Sequence, residues 1–289
     1  MALVPIMEVA SPFTGRRGVS MPFSDFCAPL VFDGWGQESL IERLLKLGRE
    51  RKWRYFELRG GRETLPAPAA AKKYYGHKLD LTIGIEELFA RFQSPVRRAI
   101  RKAESSGLAV EASKAREAMV DFYGLHVRTR RRHGLPPQSL SFFLNIHREI
   151  VKADQGFIIV AKNGTKPVAG AVFFYAGKAA LFKFGASDEG VQELRGNNLV
   201  MWEGIKRLAG KGLKTLHFGR TSVENDGLRR FKLSWGTKEE IIEYFRFAFG
   251  PNMWVNSCRN ASEFHNRLFR RLPLAVNRVA GALIYPHLD

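Results

Sequence analysis

The strongest constraint on this chain is the alternation of short apolar strands and amphipathic helices between residues 108 and 249. Apolar patterns with periods of two and of 3.6 residues follow one another there in the order β-α-α-β-β-β-α-β-α-β. Strands interleaved with helices predict a mixed α/β architecture, in which a sheet is flanked by helices. Asn163-Gly164 predicts a tight turn between two strands, and Gly212 predicts the end of a helix that begins at Gly196.

A weaker copy of part of this pattern lies nearer the N-terminus. Gly18–Ser24 is predicted as a strand, and a helix and a second strand follow it by residue 58; the same order recurs within residues 178–222. Arg59-Gly60 follows the first unit and Gly219-Arg220 follows the second. We therefore expect two related lobes, of which the first lacks its front half.

The linking and terminal segments predict where these lobes end. Ser94 at the N-cap and Pro95 at the first helical position predict a basic helix that closes at Gly107. Residues 261–285 predict a basic amphipathic helix, interrupted at Pro273, that covers the protein's own core or lies against a membrane surface. We predict three segments, which are a partial first lobe (1–92), a full second lobe (93–250) and a helical C-terminal segment (251–289).

Positive charge dominates the composition. The 289 residues include 46 Lys and Arg against 28 Asp and Glu, a formal net charge of +18. Such a surface attracts nucleic acid, nucleotide-linked substrates or an anionic lipid leaflet, or it is simply solvated. No apolar run approaches the roughly 18 residues of a membrane span, and no signal peptide is recognisable. The two cysteines, Cys27 and Cys258, exclude a disulfide framework and favour a reducing cytoplasm.

Three groups of residues stand out as motifs. They are Gly15–Asp25 (GRRGVSMPFSD), Ser94–Gly107 (SPVRRAIRKAESSG), and Arg195–Trp202 (RGNNLVMW) followed by Phe218–Ser222 (FGRTS) and Gly227–Gly236 (GLRRFKLSWG). Together they resemble the FemAB-like acyltransferases, tandem GNAT proteins related to the peptidoglycan bridge aminoacyltransferases. The resemblance covers most of the chain from Gly15 to about Phe249. It implies an α/β (α+β) fold of two GNAT-like lobes, the first incomplete, and an acyltransferase activity.

The resemblance also implies where the acyl donor binds. A helix that begins at Gly196 presents free N–H groups to a phosphate. Arg195 and the backbone of Gly196, Asn197 and Asn198 are therefore expected to bind a phosphate-bearing donor, and the alternative is a well-capped helix without a ligand. Arg220, directly after a strand, is a second expected phosphate contact, to the donor or to the acceptor.

Phe231 and Lys232 are the implied catalytic pair, because this Phe-Lys position in the Fem-type enzymes is implicated in donor binding and transfer. A Lys ammonium near the reacting carbonyl can offset developing negative charge. Without the resemblance, Lys232 is more simply explained as a surface Lys on a basic helix.

The acceptor side of the site is less defined by the sequence. The resemblance places Thr129 and Arg132 at a helix-helix corner that contacts the acceptor, and Arg97 and Arg101 are further candidates whose alternative is a solvated helix face. No residue is selected as a general base. No histidine or cysteine falls in a metal-binding spacing, so neither a metal nor a tightly bound cofactor is predicted.

These features predict an N-acyltransferase that modifies an amine of a cell-envelope or polysaccharide precursor. Its donor is aminoacyl-tRNA or acyl-CoA, since both are anionic and suit the positive surface. We expect a cytoplasmic protein, with a peripheral contact to the inner face of the membrane left open, as is the oligomeric state. The alternatives from other classes are a non-catalytic nucleic-acid-binding module and a scaffold for a partner enzyme.

Overall fold

A twelve-stranded sheet forms the centre of the computed structural model, which describes residues 2–32, 37–64, 69–257 and 263–288. The strands are β1 (Ala2–Leu3), β2 (Met7–Ser11), β3 (Gly15–Val19), β4 (Leu30–Val31), β5 (Tyr55–Arg59), β6 (Lys72–Asp80), β7 (Ala109–Ser113), β8 (Gly156–Asn163), β9 (Lys166–Ala176), β10 (Ala179–Ser187), β11 (Thr215–His217), β12 (Thr221–Ser222), β13 (Lys238–Ala248) and β14 (Met253–Val255). The helices are α1 (Gln37–Glu50), α2 (Ile85–Arg91), α3 (Ser94–Glu104), α4 (Arg116–Arg132), α5 (Leu140–Ile146), α6 (Gly196–Gly210), α7 (Asp226–Leu233), α8 (Glu263–Arg271) and α9 (Leu274–Ile284).

The predicted order of strands and helices in the second lobe is confirmed. From β7 to β13 the elements follow the sequence pattern, with the short β12 added. The β8–β9 hairpin turns at Gly164 and Thr165, one residue beyond the predicted pair, because Asn163 still pairs with Lys166. Gly164 has the positive φ of 58° that such a turn requires. Gly212, at φ 74°, follows the end of α6. The chain therefore has the expected mixed α/β fold.

The two lobes exchange strands at the middle of the sheet. The sheet order is β2-β3-β5-β13-β6-β11-β10-β9-β8-β7. β6 follows β5 along the chain but lies beside β11, and β13 follows β11 along the chain but lies beside β5. β6 and β13 also pair with each other through seven residue pairs, from Lys238 opposite Lys78 to Tyr244 opposite Lys72. One sheet thus crosses the predicted boundary near residue 92, and the division into three segments stays a prediction.

The weak repeat in the sequence corresponds to two similar pieces of this sheet. β3 pairs in parallel with β5, and α1 connects them; β10 pairs in parallel with β11, and α6 connects them. An antiparallel hairpin precedes each parallel pair, β2–β3 in one case and β9–β10 in the other. The chain therefore carries the tandem GNAT-like arrangement that the motifs implied.

Three local predictions need correction. The first strand ends at Val19 rather than Ser24, because Met21 and Phe23 have φ values of 48° and 63° and turn the chain. Ser94 is the first residue of α3 rather than its cap: Gln93 holds the N-cap position, and the Ser94 hydroxyl accepts from Arg98.

Strand β6 was missed altogether. Its inward-facing positions include the buried His77, and Gly76 interrupts its apolar alternation. A buried polar residue beside a glycine weakens the period-two pattern from which strands are recognised.

Helix α6 packs against β9 in the core of the second lobe. Substitution of two of its glycines tests this packing. A Cβ on Gly204 would lie 2.2 Å from the buried ring of Phe173 on β9, whereas a Cβ on Gly210 would meet no atom within 4 Å. Gly204→Ala should lower the free energy of unfolding by about 2 kcal/mol through overpacking. Gly210→Ala should raise it by about 0.5 kcal/mol through helix propensity. Urea unfolding of both variants measures the difference, and equal effects would contradict this packing.

The C-terminal helices confirm the predicted interruption at Pro273, which lies between α8 and α9. Both helices contact α4. Residues 261 and 262 of the predicted helix, and Cys258, lie outside the described residues. Within the part of the chain that the structure describes, no helix combines the length and the apolar character needed to cross a membrane.

Candidate active-site cleft

The sheet opens between β10 and β11. These two strands pair only from Ala179 opposite Thr215 to Leu181 opposite His217, while β10 continues to Ser187. A bulge between Phe182 and Phe184 turns β10 away at the point where the pairing ends. The widening gap provides a cleft between the end of β10, α6 and α4.

Aromatic rings line the narrow part of this gap. The ring centroid of Phe182 lies 6.3 Å from that of Phe218 on the other side, and Phe231 lies 6.2 Å from Trp235. Phe231 is 37% exposed and faces a cavity of about 180 Å³ that Phe182, Val200 and Met201 also line. The gap is therefore an apolar passage with Phe231 in its wall.

Ser187, at the end of β10, connects the predicted donor and acceptor sides. Its amide donates to the Thr129 hydroxyl (3.1 Å), which donates back to the Ser187 carbonyl (3.2 Å). Its own hydroxyl accepts from the Asn197 side chain at 3.0 Å. Ser187 lines three adjoining cavities, and it is 6% exposed. Thr129 and Asn197 thus meet at a residue that the sequence analysis did not select; its only signal was its place at a strand end before a polar loop.

The start of α6 forms the second of these cavities, about 170 Å³ in volume. Arg195, Gly196, Asn197 and Asn198 all line it, as the sequence predicted. Gly196 lies close to β9, since a Cβ there would come 3.0 Å from the Cβ of Ala169. A helix N-terminus with its free N–H groups facing a cavity is a favourable site for a phosphate group.

Arg195 adopts the left-handed backbone conformation, with φ 56° and ψ 27°, between a 3-10 turn (Glu189–Leu194) and α6. This conformation is unfavourable for a residue with a Cβ, and such strain is often retained at functional sites.

Replacing Arg195 should separate stability from donor binding. Arg195→Gly relieves the backbone strain and should raise the free energy of unfolding by about 1 kcal/mol. The same change removes a guanidinium from the cavity and should weaken donor binding about tenfold. Arg195→Ala is the control, because it removes the charge but keeps the strain. Denaturant unfolding and calorimetric titration with CoA and with tRNA measure the two effects, and a destabilised glycine variant would contradict the strain.

Arginines dominate the third cavity, which has a volume of about 500 Å³. Its charged lining residues are Arg128, Arg131, Arg132 and Arg270 against Asp188 and Glu189. Arg132 lies 3.7 Å from Glu189 in an ion pair, and it also lines the apolar passage. The positive excess makes this cavity attractive to an anionic substrate group.

His133 also lines the apolar passage. Burial and the neighbouring Arg132 and Arg130 lower the pKa of its imidazole below the ordinary value of 6.5. The ring is therefore uncharged at neutral pH and can accept a proton. No motif in the sequence distinguishes this histidine from the other six.

Lys232 lies behind the cleft wall and does not project into the passage. It is 4% exposed, and its ammonium donates to the carbonyl oxygens of Gly219 (2.8 Å) and Arg220 (3.1 Å). Burial lowers the pKa of this amine to about 8, against an opposing effect of Asp25. The surface position considered from the sequence is therefore wrong. Lys232 ties α7, and with it Phe231, to the chain beyond β11.

Arg220 contacts residues of the first lobe through an ion pair and a cation–π interaction. It forms an ion pair with Asp25 (3.6 Å), and its guanidinium lies 4.6 Å from the centre of the Tyr74 ring. Burial alone would lower the pKa of Arg220, but Tyr244, Tyr74 and Asp25 hold it above its ordinary value. The structure thus places Arg220 between the lobes.

The loop of residues 20–27 closes this region. Lys183, at the bulge of β10, donates to the carbonyl of Phe23, and Tyr244 donates to the carbonyl of Asp25 (2.8 Å). Arg59 donates to the carbonyl of Ser24 (2.8 Å). Burial lowers the pKa of Lys183, while Asp25 raises it. Asp25, which lies within the first sequence motif, is the carboxylate that balances Lys183, Lys232 and Arg220.

Arg97 and Arg101 lie apart from the cleft. Arg97 donates weakly to the carbonyl of Ala90 (3.4 Å), and Arg101 lies 5.6 Å from the ring centre of Phe89. Both contacts are to α2, so these two side chains are not brought together with Thr129 and Arg132. Among the described residues, no group of three or more His, Cys, Asp or Glu is arranged to hold a metal ion.

Comparisons with known proteins agree with this geometry. A family profile described as an acetyltransferase (GNAT) domain matches residues 90–233. No curated protein matches the chain significantly. Among solved structures, FemX is similar with a TM-score of 0.63 and 15% identity, over 82% of this chain and 83% of that one.

Two further structures share the fold. L-PGS from Bacillus licheniformis has a TM-score of 0.54 and 14% identity, over 93% of this chain and 90% of that one. A tandem GNAT protein from the clavulanic acid biosynthesis pathway has a TM-score of 0.54 and 10% identity, over 80% and 75%. The match to the acetyltransferase profile favours an enzyme over the non-catalytic alternatives. Residues 90–233 therefore form an acetyltransferase domain of the GNAT family, and the chain as a whole shares its fold with FemX.

Proposed function

We propose that the cleft transfers an acyl or aminoacyl group from a phosphate-bearing donor to an amine of a cell-envelope or polysaccharide precursor. One observation carries this proposal: the phosphate-sized cavity at the start of α6 and the apolar passage lined by Phe231 meet at Ser187. A donor with phosphates at one end and a reactive carbonyl at the other fits such a pair of cavities.

The donor's phosphates would bind Arg195 and the backbone N–H groups of Gly196 and Asn197. Asn198 would line the same cavity, while its N–H donates to the Arg195 carbonyl at 2.9 Å. Its acyl carbonyl would then enter the passage beside Phe231. Lys232 would keep this wall in place through the carbonyls of Gly219 and Arg220. Both donors considered from the sequence, acyl-CoA and aminoacyl-tRNA, have this chemical layout.

The acceptor would approach from the arginine-lined cavity, where Arg132 and Thr129 form the border with the passage. An alkylammonium, with a pKa near 10, must lose a proton before its nitrogen attacks the carbonyl. His133 lines the same passage and would accept that proton. As the new bond between nitrogen and carbonyl carbon forms, the bond from that carbon to the donor's sulfur or oxygen breaks, and the leaving CoA thiolate or tRNA oxygen takes up the proton that the amine has lost. Arg220, Arg97 and Arg101 stay more distant candidates for substrate phosphates. We place the reaction in the cytoplasm, where both donor types occur.

The direct test is a mass-spectrometric screen for transfer. The purified protein is incubated with a panel of acyl-CoA and charged tRNA donors and with amine-bearing envelope precursors, and products are identified by their mass increase. Phe231→Ala is the control variant, since its exposed ring can be removed with little effect on the core. Transfer by the wild type and loss of transfer by the variant support the proposal. Wild-type protein that transfers from neither donor class would contradict it.

A further inference from the structure

Helix α9 packs one face on the protein and presents apolar side chains on the opposite face. One face packs on the protein: Leu274 joins the core under α4, and Gly281 sits so close to the chain at Pro137 that a Cβ would come 1.9 Å from that carbonyl oxygen. The other face carries Val276, Val279 and Leu283, which are 49%, 61% and 68% exposed. A surface helix ordinarily turns polar residues to solvent. The outward face of α9 therefore has the composition of a buried surface.

A second segment extends this apolar surface. Phe13, at the tip of the β2–β3 hairpin, is 80% exposed, and its ring packs edge-on against His287 with centroids 5.2 Å apart. The guanidinium of Arg17 donates to the carbonyl of His287 at 2.7 Å, which fixes the hairpin beside the end of α9. The exposed Phe13 thus lies against the segment that directly follows α9, although more than 250 residues separate the two in the chain. A patch formed in this way marks a site of interaction.

The charge along α8 and α9 is mainly positive. Between Glu263 and Asp289 the sequence contains four arginines and no Asp or Glu. Arg267 and Arg271, on α8, are exposed, and Arg270 between them lines the arginine-rich cavity. An apolar helix face beside a mainly cationic one is an arrangement with which a helix lies in the interface of an anionic bilayer.

We propose that α8, α9 and the tip of the β2–β3 hairpin form a docking surface for an anionic lipid membrane. Val276, Val279, Leu283 and Phe13 enter the boundary between headgroups and acyl chains, and Arg267 and Arg271 bind the lipid phosphates. Because Arg270 and Leu274 line the arginine-rich cavity, docking brings the entrance of the cleft to the bilayer. The inference concerns binding alone and does not depend on which acyl group the cleft transfers.

Vesicle flotation with the full chain tests the docking surface. The wild type should bind vesicles of phosphatidylcholine mixed with phosphatidylglycerol, and it should bind phosphatidylcholine alone at least about tenfold more weakly. The double variant Val279→Gln/Leu283→Gln should lose at least about tenfold in affinity for the mixed vesicles. Ile241→Gln, at an equally exposed aliphatic position on β13, should bind as the wild type does.

A second variant tests the contribution of the two exposed arginines. Arg267→Gln/Arg271→Gln should lose about fivefold per arginine on the mixed vesicles and little on phosphatidylcholine alone. Far-ultraviolet circular dichroism checks that each variant is folded, and the unchanged binding of the Ile241 variant shows that the assay reports the patch.

Several results would overturn the proposal. One is wild-type protein that does not float with the mixed vesicles. Another is a Val279→Gln/Leu283→Gln variant that binds these vesicles as tightly as the wild type does. A wild-type dimer that the double variant converts to monomers, without vesicle binding, would assign the patch to a second copy. Binding of tRNA that falls in the arginine variant only, without vesicle binding, would assign it to nucleic acid. The flotation assay measures membrane binding and not acyl transfer. A negative result in the transfer screen therefore does not change the interpretation of the flotation result.

Discussion

Lys232→Met is expected to lower kcat about 100-fold while leaving the dissociation constant of the donor within about threefold of the wild-type value. The ammonium of Lys232 holds the carbonyls of Gly219 and Arg220 and thereby positions Phe231 in the cleft wall. Methionine has a similar shape but no donor, so this wall is free to move. A displacement of about 1 Å at an active site can cost about 100-fold in rate. Stopped assays for kcat and calorimetry for donor binding measure the two quantities.

The same variant should change how stability depends on pH. Folding lowers the pKa of Lys232 from 10.5 to about 8, because burial disfavours the charged amine. Between these two pH values the unfolded chain binds a proton that the folded chain has released, so the free energy of unfolding rises with pH. The wild type should therefore gain up to about 3 kcal/mol relative to Lys232→Met between pH 8 and pH 10.5.

A surface lysine provides the control. Lys102→Met removes the same charge from an exposed position at the end of α3. This variant should keep the wild-type kcat and should follow the wild-type stability across the same pH range. If Lys232→Met shows no pH-dependent difference from the wild type, the amine is not buried as the structure has it. If its kcat is unchanged, the clamp on Gly219 and Arg220 does not support transfer.

The sequence predicts most of the second lobe because its central strands are short apolar runs that are buried on both faces. β8 and β9 consist largely of buried aliphatic and aromatic residues, and α6 buries a face that includes Trp202 and Ile205. Such patterns are local, so one stretch of sequence contains the whole signal.

The exchange of β6 and β13 could not be predicted in the same way. Which strand neighbours β11 depends on packing between segments more than 100 residues apart, and nothing within β6 itself records its partner. In addition, apolar and polar residues do not alternate clearly around Gly76 and His77, so the sequence does not predict β6 as a strand. The sequence therefore predicted two related lobes without showing how they interlock.

The site shows the same division between local and distant signals. The expected phosphate-binding residues Arg195–Asn198 are contiguous in the chain, and all four line one cavity. Thr129 meets Asn197 only through Ser187, a single residue with no motif of its own. Lys232 was expected beside the reacting carbonyl, but the structure shows its ammonium bound to two backbone carbonyls. A motif identifies a residue as special, while its contacts are set by the packing of other elements.

Asn197→Asp is expected to weaken donor binding by about 100-fold without unfolding the protein. The carboxylate has the same shape as the amide and can accept from the Ser187 hydroxyl in place of the donation that Asn197 makes now. A negative charge in the first turn of α6 also interacts favourably with the helix dipole, so the free energy of unfolding should stay level or rise by about 0.5 kcal/mol. In the phosphate cavity, however, the same charge faces another anion, and such a like-charge contact costs several kcal/mol.

This substitution uses the property that makes the start of α6 a phosphate site, since a negative charge that the helix dipole favours repels a phosphate drawn to the same place. Titration calorimetry with CoA and with tRNA gives the affinities, and urea unfolding gives the stability. Asn145→Asp, which adds the same charge to an exposed position on α5, should leave both unchanged. Donor affinity that survives Asn197→Asp would place the phosphates elsewhere, and the arginine-lined cavity beside Arg128 and Arg131 would then be the remaining anion site of the cleft.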